Sequence, residues 1–240
     1  MTGHDEQSEW ERRLRERKIL ALKPESEVCI KRDVHNLEVQ MPEDGDPAER
    51  FAQAFGDMMA EDGAQFGLIS LRRPKSETGK PFDVGHRFQG RYSLSEAAKR
   101  MYKDFCKGLF KGFFGAILRF FVIQKLLRYI EDEHLSDYGE IIDITSPKQF
   151  QYQYLSGSPI AGSSQFLFKT IDERTCRITQ VFLYQELDPH FVGVMGSMGL
   201  KAHNQVVYEQ VRMSAARIDA KIISSDIPPE YVEQLGKPGE

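Results

Sequence analysis

The chain has 240 residues, 40% of them hydrophobic, a formal net charge of −4 and three cysteines. That length suits one large domain, or one domain with an insertion, and can bury a core; the acidic balance argues against a general nucleic-acid binder, which needs a basic excess. Cys29, Cys106 and Cys176 stand far apart with no CxxC or Cys/His spacing, which disfavours a disulfide framework and a structural zinc site and points to a reducing, cytoplasmic setting.

The opening MTGHDEQSEWERRLRERK has neither the apolar run nor the cleavage site of a secretory signal. Glu6 to Leu22 reads as a short charged surface helix, with Trp10, Leu14 and Ile19 or Leu20 as docking residues, ended by Lys23 and Pro24. Glu27 to Met41 reads as a first strand. Asp46 is a candidate N-cap with Pro47 at the first helical position and Glu49 in the first turn, so Pro47 to Ala60 is expected to be a helix with Phe51, Phe55 and Met58 on its apolar face. Gln65 to Arg72 and Asp83 to Tyr92 read as strands joined by a polar loop. In the second, Val84, His86, Phe88 and Tyr92 fall on one side and Arg87, Gln89 and Arg91 on the other. Ser93 with Glu96 three residues on has the form of a capping box.

Met101 to Ile130 (MYKDFCKGLFKGFFGAILRFFVIQKLLRYI) mixes aromatic and basic residues and is apolar nearly all round at its centre. Its longest uncharged run, Gly112 to Leu118, is far short of the roughly 20 residues that span a bilayer. Two readings follow. One is a pair of helices, broken near Gly112 or Gly115, buried against the sheet or against a second copy in a homo-oligomer. The other is a basic amphipathic lid, with Lys107, Lys111, Lys125, Phe113, Phe114, Phe120 and Phe121 meeting a membrane surface or the tail of a bound lipid.

The second half is the most regular. Ser146 to Leu155, Ser164 to Ile171 and Arg174 to Tyr184 alternate as strands do; Phe150, Tyr152 and Tyr154 share one face while Gln149, Gln151 and Gln153 share the other. LSGSPIAGS and DERT supply the turn residues between them. Leu200, Val207, Val211, Ala215, Ile218 and Ile222 then recur at helical spacings, predicting a long closing helix over Leu200 to Ile222. Gly193, Gly196 and Gly199, with Met195 and Met198 between them, precede that stripe and would give it a pliable start and an adaptable apolar wall. The fold class expected is α+β: a curved antiparallel sheet gripping a long C-terminal helix, with an inserted apolar helical block.

Strand, helix, two strands, inserted helices, further antiparallel strands and a long final helix: this order resembles the START-like, or SRPBCC, helix-grip superfamily. The resemblance is carried by Glu27 to Ala60, with its PAERFAQAF helix, and by Tyr138 to Ile222, where GEIIDITSPKQFQYQYLSGSPIAGSSQFLFKTIDERTCRITQVFLYQEL looks like the family's last strands. It implies an arm over residues 1–24, a helix-grip domain over 25–225 with an insertion at about 93–135, and a tail over 226–240. It also implies a hydrophobic small-molecule or lipid partner, held between sheet and helix by a non-enzymatic carrier or sensor. The alternatives are a polyketide cyclase or aromatase-like enzyme, with His86 or a cavity tyrosine as acid or base, and an assembly protein that uses the apolar helices as an interface.

On the face turned to the helix, the expected ligand-binding residues are His86, Phe88, Tyr92, Tyr152, Tyr154, Phe166, Phe168, Gln180, Phe182 and Tyr184, with Met195 and Met198. The polar members need a partner wherever they are buried, and a ligand can supply it. The six histidines, at 4, 35, 86, 134, 190 and 203, show no HxH or HxxxH spacing, so no metal and no cofactor is expected. FVGVMGSMGLK lacks the GxxxxGK[ST] pattern of a phosphate loop, and no GxSxG elbow is present.

Overall fold

A computed structural model describes residues 3–23, 30–61, 63–66, 69–92, 136–144, 148–187 and 189–228. The inserted block at about 93–135, with Lys107, Lys111, Phe113, Phe114, Phe120, Phe121 and Lys125, lies outside the described residues.

Among the described residues three helices, α1 (Gly3–Glu16), α2 (Pro47–Met59) and α3 (Pro189–Ala216), accompany nine strands: β1 (Lys31–Gln40), β2 (Gln65–Phe66), β3 (Ile69–Arg72), β4 (Arg87–Tyr92), β5 (Ser136–Asp143), β6 (Gln149–Tyr154), β7 (Ile160–Thr170), β8 (Thr175–Glu186) and β9 (Lys221–Ser225). The strands form one curved sheet in the order β2-β3-β4-β5-β6-β7-β8-β1-β9, and every pairing is antiparallel. Helices α2 and α3 cover its inner face. This is the α+β helix-grip arrangement expected from the element order.

Helix α2 begins where the local chemistry directs: Asp46 accepts hydrogen bonds from the Ala48 and Glu49 amides at 3.1 and 3.3 Å, and Pro47 opens the first turn. Its buried stripe, Phe51, Phe55 and Met58, meets the inner side chains Phe150, Phe166 and Phe168 of β6 and β7. Leu37, Val39, Cys176, Ile178, Val207 and Val211 complete that closed end of the core.

The structure changes several element boundaries. Helix α1 ends at Glu16 rather than Leu22, and β7 starts at Ile160 rather than Ser164, within the stretch read as a turn. Gln65 to Arg72 is not one strand but two, β2 and β3, paired with each other. His86 stands before β4 rather than in it, because Val84 and Gly85 form a turn with Gly85 at φ +88° and the His86 amide bonds back to the Asp83 carbonyl. The closing helix starts earlier than Leu200 and stops at Ala216, short of Ile222. Asp219 takes φ +53°, a left-handed conformation that acidic side chains tolerate and that ends helices. Ile218 and Ile222 still pack on the core, Ile222 from β9, so apolar spacing that reads as one more helical turn is shared between a helix end and a strand.

Helix α1 docks on the outer face, over β4 and β5. Leu14 packs with Tyr138 and Leu155, and Trp10 leans on that cluster while donating its indole N–H to Gln89 Oε1 at 2.8 Å. Gln89, on the strand face opposite Phe88, is therefore fully buried. The guanidinium of Arg87 pairs with Glu140 at 2.6 Å and donates from Nη1 to the carbonyls of Leu14, Arg15 and Arg17, occupying the orphan acceptors at the end of α1. Beyond the helix, Ile19 bridges Leu155, and Gln185 exchanges hydrogen bonds of 2.8 Å with the backbone of Lys23.

Candidate functional site

Strand alternation puts odd residues of β1 and β5 and even residues of β6, β7 and β8 on the inner face. Paired registers then stack them in rows across the sheet. The row Phe168, Ile178, Leu37 is wholly apolar and buried under α2. The next, Phe150, Phe166, Gln180, His35, turns polar at its β8–β1 end, and the row after it is Ile141, Tyr152, Ser164, Phe182, Asp33. One end of the inner face is thus a closed hydrophobic core, and the other is a mixed aromatic and polar wall in which Tyr152, Tyr184, His35, Asp33 and His203 keep partial exposure.

That wall is connected. Gln180, fully buried, donates from Nε2 to Ser164 Oγ at 2.9 Å and stands 3.3 Å from His203 Nε2 on α3. Such a contact needs that nitrogen to be the unprotonated acceptor of the imidazole. His203 lies flat on Phe182, with centroids 4.1 Å apart, and Phe182 stacks in turn on Tyr184 at 4.4 Å. The His35 ring is 6.2 Å from that of His203. Desolvation, with a smaller contribution from the His35 charge, pushes the His203 pKa down to about 3, so this ring is neutral in ordinary conditions. Tyr152 hydrogen-bonds Ser164 and Tyr154; burial raises its phenol pKa, the two hydrogen bonds oppose the rise, and the Asp137 carboxylate adds to it.

Among the residues expected to bind ligand, Tyr152, Tyr154, Gln180, Phe182 and Tyr184 gather at this wall. Phe166 and Phe168 belong to the closed core beneath α2, and Phe88 meets Tyr152 edge-on at 5.3 Å. His86 is elsewhere: its Nδ1 accepts from the Asp83 amide at 3.1 Å beside Glu77 and the buried guanidinium of Arg73, which also lies over the Phe82 ring. Tyr92 ends β4 opposite Ile69, and Met195 and Met198 lie along α3.

Four wall residues escaped the sequence reading: Asp33, His35, Ser164 and His203. Their signal was present. His35 and Asp33 alternate with the core residues Leu37 and Val39, Ser164 alternates with Phe166 and Phe168, and His203 precedes Val207, Val211 and Ala215 at intervals of four. Among the described residues no group of three or more His, Cys, Asp or Glu side chains could hold a metal ion. No described helix is long and apolar enough to cross a membrane.

No family model matches the sequence, and no curated protein matches it. Solved structures do resemble the fold. Norcoclaurine synthase from Thalictrum flavum superposes with a TM-score of 0.49 at 11% identity, over 84% of this chain and 99% of that one. Major latex-like protein 151 from Panax ginseng gives 0.43 at 12% identity, over 79% and 97% of the two chains. The Zhui aromatase/cyclase from a Streptomyces species gives 0.40 at 10% identity, over 79% and 90%.

Proposed function

We propose that this protein binds a small, largely apolar, lipid-like molecule between the open end of the inner sheet face and α3. The observation that carries this reading is the gradient along one continuous face. The aromatic rows under α2 are fully packed, whereas Tyr152, Tyr184 and His203 form an aromatic wall that stays partly exposed and surrounds a few buried polar groups. Apolar walls with a small number of oriented polar groups are what small-molecule sites are made of. Burial of the ligand's apolar surface, at about 25 cal/mol per Å², supplies the driving force.

A carrier or sensor fits this wall better than a cyclase that uses a tyrosine as base. The Tyr152 phenol is pushed up from its ordinary value by burial, so it remains protonated at neutral pH and serves as a hydrogen-bonding group. Docking of Lys107, Lys111 and Lys125 on an anionic membrane surface would give such a carrier a place to load; replacing all three by Glu should abolish its sedimentation with anionic vesicles.

The test is native mass spectrometry of the purified full chain, followed by organic extraction. A stoichiometric hydrophobic adduct, lost in a Phe182→Ala or Tyr152→Ala variant that still folds, is the expected result. Absence of any adduct after incubation with a mixed lipid extract overturns the proposal.

A further inference from the structure

Among the described residues, the polar part of the wall is left incomplete. Buried polar atoms in folded proteins nearly always have a hydrogen-bond partner, and each exception calls for an explanation. Here three exceptions fall on one two-strand patch: among the described residues, Asp33 Oδ2, His35 Nε2 and Gln180 Oε1 are buried without a partner. His35 and Gln180 are directly opposite in the β1–β8 register, and Asp33 is opposite Phe182, the next inner residue along β8. These neighbours therefore stand within reach of one bound group. His203 on α3 faces the same patch, 3.3 Å from Gln180 and stacked on Phe182.

The chemistry of the missing partner follows from the atoms that lack one. A carboxylate oxygen only accepts, and the free end of the Gln180 amide is its oxygen, also an acceptor. Even if the amide were turned over, Asp33 would still demand a donor. The flat stack of Tyr184, Phe182 and His203 offers the face of an aromatic ring beside those acceptors.

We infer that the ligand is a hydroxylated aromatic molecule, its ring against the Phe182–His203 stack and its one hydroxyl proton shared, in a three-centre hydrogen bond, between Gln180 Oε1 and Asp33 Oδ2. This rests on the binding site proposed above and adds the class of molecule it selects. Selectivity arises because a ring without a donor would bury the same acceptors and leave them unpaired, a loss that binding cannot recover elsewhere.

The experiment compares 2-naphthol with 2-methoxynaphthalene, which keeps the ring and removes the donor, by titration calorimetry on the full chain. The wild-type protein is expected to bind 2-naphthol about tenfold or more tightly. In Gln180→Met that ratio should fall toward one, chiefly through weaker 2-naphthol binding. Asp33→Leu, which has a similar shape and no acceptor, should lower the ratio too, and it carries the test if Gln180→Met fails to fold. Two probes bound equally by the wild type would mean that water alone satisfies the patch; the inference falls and the binding site stands. A tenfold preference that survives both substitutions also overturns it, by locating the recognition elsewhere. Failure of both probes to bind at saturating concentration overturns the inference and counts against the site itself.

Discussion

His203 on α3 lies against Phe182 on β8, ring centroids 4.1 Å apart and only 19° from parallel. Through this pair the closing helix meets the sheet at its polar end, since the same imidazole also reaches Gln180 at 3.3 Å. A protonated His203 would lose the acceptor nitrogen that faces the amide and would place a charge in desolvated surroundings near His35.

Stability should therefore fall on mild acidification. The folded-state pKa of His203 is pushed down from 6.5 to about 3, so between those values the unfolded chain binds a proton that the folded one does not. The contribution is complete above pH 6.5 and is lost progressively as pH falls toward 3. By pH 5.5 the loss is on the order of 1 kcal/mol. Urea unfolding at pH 5.5 and 7.5, above the carboxylate range, should show it, and His203→Gln should flatten the difference. An NMR titration that finds this ring protonating near 6.5 would contradict the assignment.

Gly139 is required by Phe88. A Cβ at Gly139 would lie 2.3 Å from Phe88 Cζ and under 3 Å from both Cε atoms, while the ring is hemmed in edge-on by Phe82 and Tyr152. Gly139→Ala is expected to cost about 1–3 kcal/mol of overpacking. In a Phe88→Leu background the same substitution should cost clearly less, a coupling that a double-mutant cycle in urea measures. Additive effects would mean that the ring moves aside freely.

Arg87 holds the N-terminal arm. Replacing it by Met leaves Glu140 half-buried without its cation and frees three carbonyls at the end of α1, at an expected cost of about 2 kcal/mol. The arm should open before the sheet does. Limited trypsin digestion is predicted to cut between Arg12 and Lys23 several-fold faster in Arg87→Met than in the wild type, and equal rates would disprove the anchoring role.

The start of α2 rests on Asp46. Its carboxylate accepts from Thr170 Oγ1 at 2.7 Å as well as from the two helix amides, and the Thr170 hydrogen bond is the main reason its pKa is held below the ordinary value. Asp46→Ala should lower stability by about 1 kcal/mol, whereas Asp46→Asn, which keeps the acceptor, should lose less than half of that. Thermal unfolding of the two variants separates cap chemistry from the exposed ion pair with Lys148 at 3.3 Å.

The alternation of Phe150, Tyr152 and Tyr154 with three glutamines, the Asp46–Pro47 helix start and the Val207–Val211–Ala215 stripe were legible in the sequence because each is a local repeat imposed by backbone geometry. From these repeats alone follow the class of fold, the inner face of β6 to β8 and the helix that covers it. Gln89 was placed on the face opposite Phe88 by alternation, but its burial there depends on the docking of Trp10, 79 residues away. His35, Gln180 and His203 could each be assigned to an inward face one at a time. That they form one patch was decided by the β1–β8 register and by the helix crossing above it. Periodicity specifies which way a side chain points within its own element; what it meets there depends on pairings between distant segments, which only the packed tertiary structure selects.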